Sequence, residues 1–508
     1  MVQKTSHGSR SSTQRAWIIL TVLMTLLLAW ILMSGNTAQT SSAKISPQLQ
    51  GFEKRSTTDI IVVMKEQADL SNASDLETKE EKGVYVYKKL SKIALKTQKD
   101  LLKTLKGKFE YRSFHIANMI SIPAATPELI RELSERSDVG QIIGNPTIPV
   151  LGPPAAIAPE MPNLVEDNIV FINADKVWNE FQTNGQGIIV AGQDTGIEWQ
   201  HPALMNHYRG YSANVTDHNY NWHDAIHQGS STGNRCGYDS KVPCDDHAHG
   251  THTIGTVVGD DGMGKQIGVA PGSKWIGCRN MDAGNGKPTT YIECFEWFLA
   301  PYAFGKNPKT EGDPTKAPHV INNSWGCPIT EGCMGSEMLP VLRAMKMAGI
   351  MVVVSAGNEG PNCSTVKDQP ATHSALTFSV GAHDHRMGTI ASFSSRGPSM
   401  FDGMLGPDVV APGVNIMSAV PGKIYQKAGW SGTSMAGPHV VGVVALLWSA
   451  VPEFIGKIDM TIDMIEKTAT PLKSTQTCGG VPGTMIPNNT YGYGVINILA
   501  AVKKAKGL

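Results

Sequence analysis

The sequence predicts an α/β protein, a doubly wound and mainly parallel sheet with helices on both faces, preceded by a small α+β unit. Three observations predict it. From about residue 165 to the C-terminus, short apolar runs at 187–193, 274–277, 320–323, 350–354 and 375–380 alternate with helical segments, as parallel strands joined by crossover helices do. Candidate reactive residues fall where such runs stop, as in Gln193-Asp194-Thr195-Gly196 and Ser355-Ala356-Gly357-Asn358, and the carboxyl ends of strands are where these sheets carry their sites. Segment 59–147 has a shorter strand and helix alternation of its own.

In chain order, residues 1–16 are basic, with Lys4, Arg10 and Arg15 and no acidic residue, and 17–33 are apolar. This reads as a signal peptide or a membrane anchor, with everything after it outside the cytoplasm. Ala38 and Ala43 offer small residues for a cleavage site, Asn36 does not, so secretion and tethering to the outer face of the membrane both stand. Residues 34–58 are rich in Ser, Thr, Gln and Gly and read as a flexible linker. Next come a strand at Asp59–Met64, a helix from Val84 to Leu105 with Leu90, Ile93, Ala94, Leu101, Leu102 and Leu105 on one face, a strand at Ile116–Ile122, a helix from Pro127 capped by Thr126, and a strand at Val139–Ile143. That order builds an α+β unit of the split βαβ, ferredoxin-like kind. Residues 148–164 open with four prolines within 148–159 and form a second linker, and 165–508 form the large domain.

Composition narrows the function. An apolar fraction of 41% suits a well-cored globular protein, and 44 basic against 44 acidic side chains leave no net charge to attract nucleic acid. All eight cysteines follow the export segment, and an even number in an exported chain predicts disulfides. Cys236 with Cys244 and Cys327 with Cys333 are near enough to close small loops, while spacing leaves the remaining connectivity open.

The chemistry centres on Gly432-Thr433-Ser434-Met435-Ala436-Gly437-Pro438-His439, a serine at a loop-to-helix junction ahead of an apolar helix. The unpaired N–H groups and positive dipole end of that helix favour negative charge developing beside Ser434. Pro438 is expected in the first turn, where it removes no needed donor. A serine needs a base and a group to orient the base. Asp194, at the end of an apolar run, and His249, in His249-Gly250-Thr251-His252, supply them. The order Asp, His, Ser excludes an α/β-hydrolase, since the only histidine beyond Ser434 is His439 in the same helix.

These motifs, with Val352 to Gly360 as a strand and turn, resemble the subtilisin family of serine proteases. The loop after Asp194, the lengthened segment before His249 and the Cys327 to Cys333 loop resemble its bacillopeptidase F-like subgroup. The resemblance implies a serine endopeptidase acting on proteins or peptides, with catalytic Asp194, His249 and Ser434 and oxyanion-hole Asn358. It implies a substrate-binding wall at Ser324, Trp325 and Gly326, with Lys367 near the cleft. It also makes 59–147 an inhibitory prodomain, with the processing site in 148–164, between Gly144 and Asp167.

Plainer readings exist for each residue. Ser434 could be a helix N-cap, Asn358 and Asp194 turn residues, and the fold an inactive binding protein. The Asp245 to His252 cluster has the residue types of a zinc hydrolase, but the glycine directly after His249 and the partner Asp194 favour the serine mechanism, leaving His247 and His252 structural or solvent-facing. No metal site is assigned and no cofactor is required. At the place of the family's calcium loop, Asp260 and Asp261 carry oxygens, whereas Gly262 and Lys265 do not favour a hard cation.

Overall fold

The computed structural model describes residues 43–150, 158–229 and 231–508. The export segment 17–33, residues 34–42 of the first linker and 151–157 of the second lie outside the described residues.

The small domain is a four-stranded antiparallel sheet in the spatial order Arg112–Phe114, Met119–Ala125, Thr58–Met64, Val139–Gly144. Its strands alternate, so the sheet has two apolar faces. Ile60, Val62, Ile120 and Ile122 pack on Leu101, Leu105, Leu129, Ile130 and Leu133 of the domain's own helices. Ile61 and Ile143 join a second cluster with Ile292, Phe295 and Phe298 of the large domain.

The helix expected over Val84–Leu105 is two, Lys79–Thr97 and Lys99–Leu105. Gln98 sits at the break, where its side-chain amide donates to Phe114 O (2.9 Å) and Asn118 Oδ1 (2.8 Å). The first helix also starts earlier than expected, because Thr78 and Glu81 form a capping box with bonds of 3.1 and 3.0 Å.

Residues 44–55, expected to be flexible, are instead built onto the sheet. Ile142 N donates to Lys44 O at 2.8 Å and Ser46 N to Ile142 O at 2.9 Å, extending the open edge of the last strand. Leu49 and Phe52 are buried there. A Ser, Thr and Gln background hid two apolar anchors with an unpaired strand edge to cover.

The large domain carries an eight-stranded sheet in the order Thr389–Ile390, Phe378–Asp384, Met351–Ser355, Val320–Asn323, Ile189–Asp194, Lys274–Arg279, Trp222–Asp224, with Val409–Pro412 also pairing with Phe378–Asp384. All pairings are parallel except that of Thr389–Ile390. Helices Thr433–Ala450 and His249–Val258 cover one face, and Pro288–Leu299 and Leu339–Met347 the other. Consecutive residues serve opposite faces, Val190 one and Ala191 the other, so this is the doubly wound α/β fold that the alternation predicts. Helix Thr433–Ala450 is apolar and long enough to cross a membrane, yet it is the buried core helix of this domain.

All eight cysteines are paired, as Cys236–Cys244, Cys278–Cys294, Cys327–Cys333 and Cys363–Cys478.

Arg279, fully buried at the end of its strand, lies 2.8 Å from Asp246 Oδ2 and 3.3 Å from Asp224 Oδ2, and 3.6 Å from Asp282 Oδ1. Burial pushes Asp246 up to about 6 despite the guanidinium, with Asp245 and Asp282 adding to the rise. Removing the Arg279 cation would leave Asp224, Asp246 and Asp282 without it. Arg279→Met should therefore destabilise the protein by roughly 3–5 kcal/mol, read as a lowered denaturation midpoint; an unchanged midpoint would show that the cluster does not hold this end of the sheet.

Candidate active site

Because Ile189–Asp194, Val320–Asn323 and Met351–Ser355 run parallel side by side, their carboxyl ends open on one edge. Asp194 ends the first, Ser324 to Gly326 follow the second and Asn358 follows the third. His249 begins the helix His249–Val258, and Ser434 is the second residue of Thr433–Ala450. His249, Ser324, Trp325, Gly326, Asn358 and Ser434 line one cavity of about 740 Å³.

Asp194 is 2% exposed and His249 5%. The imidazole Nδ1 lies 2.8 and 3.0 Å from the two carboxylate oxygens and donates to them. That bond places the ring proton on Nδ1 and leaves Nε2 as the basic nitrogen. Gly250 permits the approach, since a Cβ there would sit 2.2 Å from Gly196 O and 3.0 Å from Asp194 Cβ.

The Ser434 hydroxyl donates to Ser324 O at 3.3 Å, and among the described residues no hydrogen bond joins it to His249. The Ser324 hydroxyl in turn donates to Ser434 O at 3.0 Å. Pro438 explains the need for that second bond. It lies inside the helix rather than in the first turn, so the N–H that would have bonded the Ser434 carbonyl is missing. Ser324 replaces it and ties the serine to the end of the neighbouring strand.

Asn358 Oδ1 accepts from Thr433 N (2.9 Å) and Thr433 Oγ1 (3.0 Å). The amide is thereby oriented with its nitrogen left to donate into the cavity that Asn358 lines. Thr433 was not singled out from the sequence, although its place directly before Ser434 was the available signal. Trp325 stacks on Tyr291, centroids 3.9 Å apart, which stiffens that wall. Across the cavity Ile148–Pro149 forms a strand antiparallel to Asn285–Gly286, and Val150 N donates to Gly284 O at 2.8 Å. Ile148, Pro149 and Val150 line the same cavity.

Glu331, Glu359 and Asp368 also line it, with no lysine or arginine among the described residues. The side chain expected near the cleft, Lys367, is not among the lining residues; its neighbour Asp368 is. Burial, with the charges of Glu359 and Glu331 and against that of Lys367, pushes Asp368 up to about 6.

The Asp245 to His252 stretch does not converge on a common point. Asp246 pairs with Arg279, His249 with Asp194, and His252, stacked on Trp430, bonds Ile416 O at 3.0 Å. Among the described residues no group of three or more His, Cys, Asp or Glu is set to hold a metal. In the loop 259–266, Asp260 Oδ1 accepts from Gly262 N, and Asp261 Oδ1 from Met263 N and Lys265 N, so one oxygen of each carboxylate is turned onto the loop's own backbone.

Burial disfavours the His249 cation, but the charge and hydrogen bond of Asp194, with the charge of Asp245, outweigh it and hold the imidazole above its ordinary value. An NMR titration should therefore place the His249 midpoint above about 6.5. Asp194→Asn should lower it, because the neutral amide no longer favours the cation; an unmoved midpoint would show that another group sets it.

The subtilase family model matches residues 185–494. Over 505 residues the chain is 34% identical to bacillopeptidase F of Bacillus subtilis (strain 168), covering 92% of this chain and 33% of that protein. It is 32% identical over 306 residues to serine protease AprX of the same organism, 55% of this chain and 61% of AprX. With subtilisin of Bacillus pumilus it shares 33% over 322 residues, 63% of this chain and 92% of that one. The chain thus spans about a third of the length of bacillopeptidase F and less than two thirds of AprX. With the matched region enclosing Asp194, His249, Asn358 and Ser434, the chain belongs to the subtilase family of serine proteases, in its bacillopeptidase F-like group.

Proposed function

We propose that this protein is an exported serine endopeptidase made as a self-processing precursor, with Asp194, His249 and Ser434 as its triad and Asn358 in its oxyanion hole. The observation that carries the reading is the extended segment Ile148–Val150, held in the same cavity as His249 and Ser434 by strand pairing to Gly284–Gly286. A cleft that binds its own chain as an added strand is built for peptide main chain. Ser324 to Gly326 would form its other wall.

In the reaction the Ser434 hydroxyl turns from Ser324 O to His249 Nε2, which takes its proton as Oγ attacks the scissile carbonyl. Asp194 keeps the imidazole in the right tautomer and stabilises the imidazolium. The oxyanion receives the Asn358 amide N–H and the Ser434 backbone N–H. His249 then protonates the departing amine, and water releases the acyl group by the same route in reverse. No cofactor enters these steps. Asn358→Ala should lower kcat by about 10²–10³ with little change in KM, because the bond strengthens in the transition state; a large KM effect at normal kcat would reassign Asn358 to substrate binding.

Residues 59–147 would act as the inhibitory prodomain. Besides Ile148–Val150 in the cleft, their contacts with the large domain include Arg112 to Glu293 (2.7 Å) and Lys287 to Asp59 (3.0 Å). The bond cut would follow Val150, before Asp167. Export is supported by the apolar segment 17–33 and by disulfides suited to an oxidising compartment. Ser434→Ala should accumulate with 59–147 attached while the unmutated chain loses them, and that segment supplied separately should inhibit the mature enzyme. Cleavage of the purified variant at the same bond would overturn self-processing.

A further inference from the structure

We propose that the buried Asp245 carboxylate is the positioning residue that holds Asp194 and His249 at hydrogen-bonding distance. The proposal rests on the catalytic assignment above.

Asp245 is 6% exposed and touches neither the cavity nor the reacting atoms. Its Oδ1 accepts from Thr195 Oγ1, His247 N and Ala248 N, each at 2.9 Å. Its Oδ2 accepts from Thr251 N at 3.0 Å and Thr251 Oγ1 at 2.5 Å. Thr195 directly follows Asp194, while Ala248 and Thr251 flank His249. One carboxylate therefore grips the loop carrying the orienting acid and the helix start carrying the base.

The hydroxyl directions are determined by the other bonds. Thr195 Oγ1 accepts from Gly250 N at 3.0 Å, and Thr251 Oγ1 accepts from Glu198 N at 3.0 Å. Each hydroxyl proton is thus free for Asp245, and all five contacts of Asp245 are donors. An acceptor-only anion fits this nest; an amide would turn N–H groups onto N–H donors. Ala248 has φ +83°, a conformation that favours glycine, and its N–H is one of the five. The clamp therefore also holds the backbone turn that brings His249 into the first turn of its helix.

A fixed anion so close also acts on the base through charge. The titratable groups around His249 are Asp194 from the strand, Asp245 and His247 from the preceding loop and His252 one turn along the helix, with Tyr291 facing Asp194 from helix Pro288–Leu299. Two of these carry negative charge, and Asp245 is the one that does not touch the ring.

The test is steady-state kinetics of the mature enzyme on a peptide substrate across pH, for the unmutated chain, Asp245→Asn, Thr195→Val and Thr251→Val, with the Ser434→Ala protein, in whichever form it accumulates, as control. Asp245→Asn should lower kcat by about 10- to 100-fold with KM within about twofold, since misplacement of about 1 Å costs that much. Its acid limb should move to lower pH, because losing the anion makes His249 easier to deprotonate. Each threonine variant keeps the anion, and should lower kcat several-fold with the limb unmoved. If Asp245→Asn fails to mature, the threonine variants decide, and normal kcat in both overturns the clamp. So does a folded Asp245→Asn enzyme with normal kcat or an unmoved limb. A Ser434→Ala protein as active as the unmutated chain would instead overturn the catalytic assignment itself.

Discussion

A carboxylate withdrawn from water at the end of a central strand must be given partners, and the arrangement around Asp194 follows from that requirement. Its partners are His249 Nδ1 and Thr195 N, and to supply the first, helix His249–Val258 must lie almost against the turn at Gly196. Glycine at 250 is the only residue type that the separation admits. The neighbouring parallel strands impose the same economy, because every strand end on that edge opens toward the same space. The serine helix enters that space with an unbonded carbonyl at Ser434 and takes Ser324 Oγ for it. Each contact there meets a backbone or burial demand as well as a chemical one.

The surface between the two domains is equally constrained. Glu293 and Glu296, one turn apart on helix Pro288–Leu299, are both nearly inaccessible. Burial opposes their ionisation, yet Glu293 is held well below the usual carboxylate range by Arg112 and His227, with a further bond from His223. Glu296 is lowered against the same penalty, first by His115, whose Nδ1 lies 2.9 Å away and whose backbone N–H donates to the same carboxylate. Arg112 and His115 belong to the small domain, His223 and His227 to the large one. Were the domains to part, Glu293 would keep His223 and His227 and lose Arg112, whereas Glu296 would lose both the His115 and the Ile116 contacts, so Glu296 depends more on the small domain.

Much of this was legible in the sequence because it is local. Apolar runs announce buried strands, and Gly250 after His249 or the glycines around Ser434 announce close approach. What escaped was decided by distant partners or by a break in a regular pattern. Gln98 divides a helix that periodicity carries straight through, because its side chain bonds Phe114 and Asn118. Leu49 and Phe52 are two apolar residues in a polar stretch, significant only once a strand edge is there to receive them. Pro438 stands in a turn where its missing N–H matters, and the residue that answers, Ser324, is far away in the chain. Lys367 and Asp368 are adjacent, and only the course of the backbone decides which side chain meets the cavity. The pairs Cys278–Cys294 and Cys363–Cys478 depend likewise on which elements the fold makes neighbours.

The short disulfides have a consequence beyond stiffness. Cys327 and Cys333 hold their Cα atoms 5.8 Å apart across six residues, and Cys236 and Cys244 theirs 5.7 Å apart across eight. Stretched as a strand, six residues would span about 20 Å. Neither loop can be drawn out into an extended strand while its disulfide holds. Pro328 and Glu331, inside the first of these loops, line the cavity, so that part of its wall is held as a closed ring.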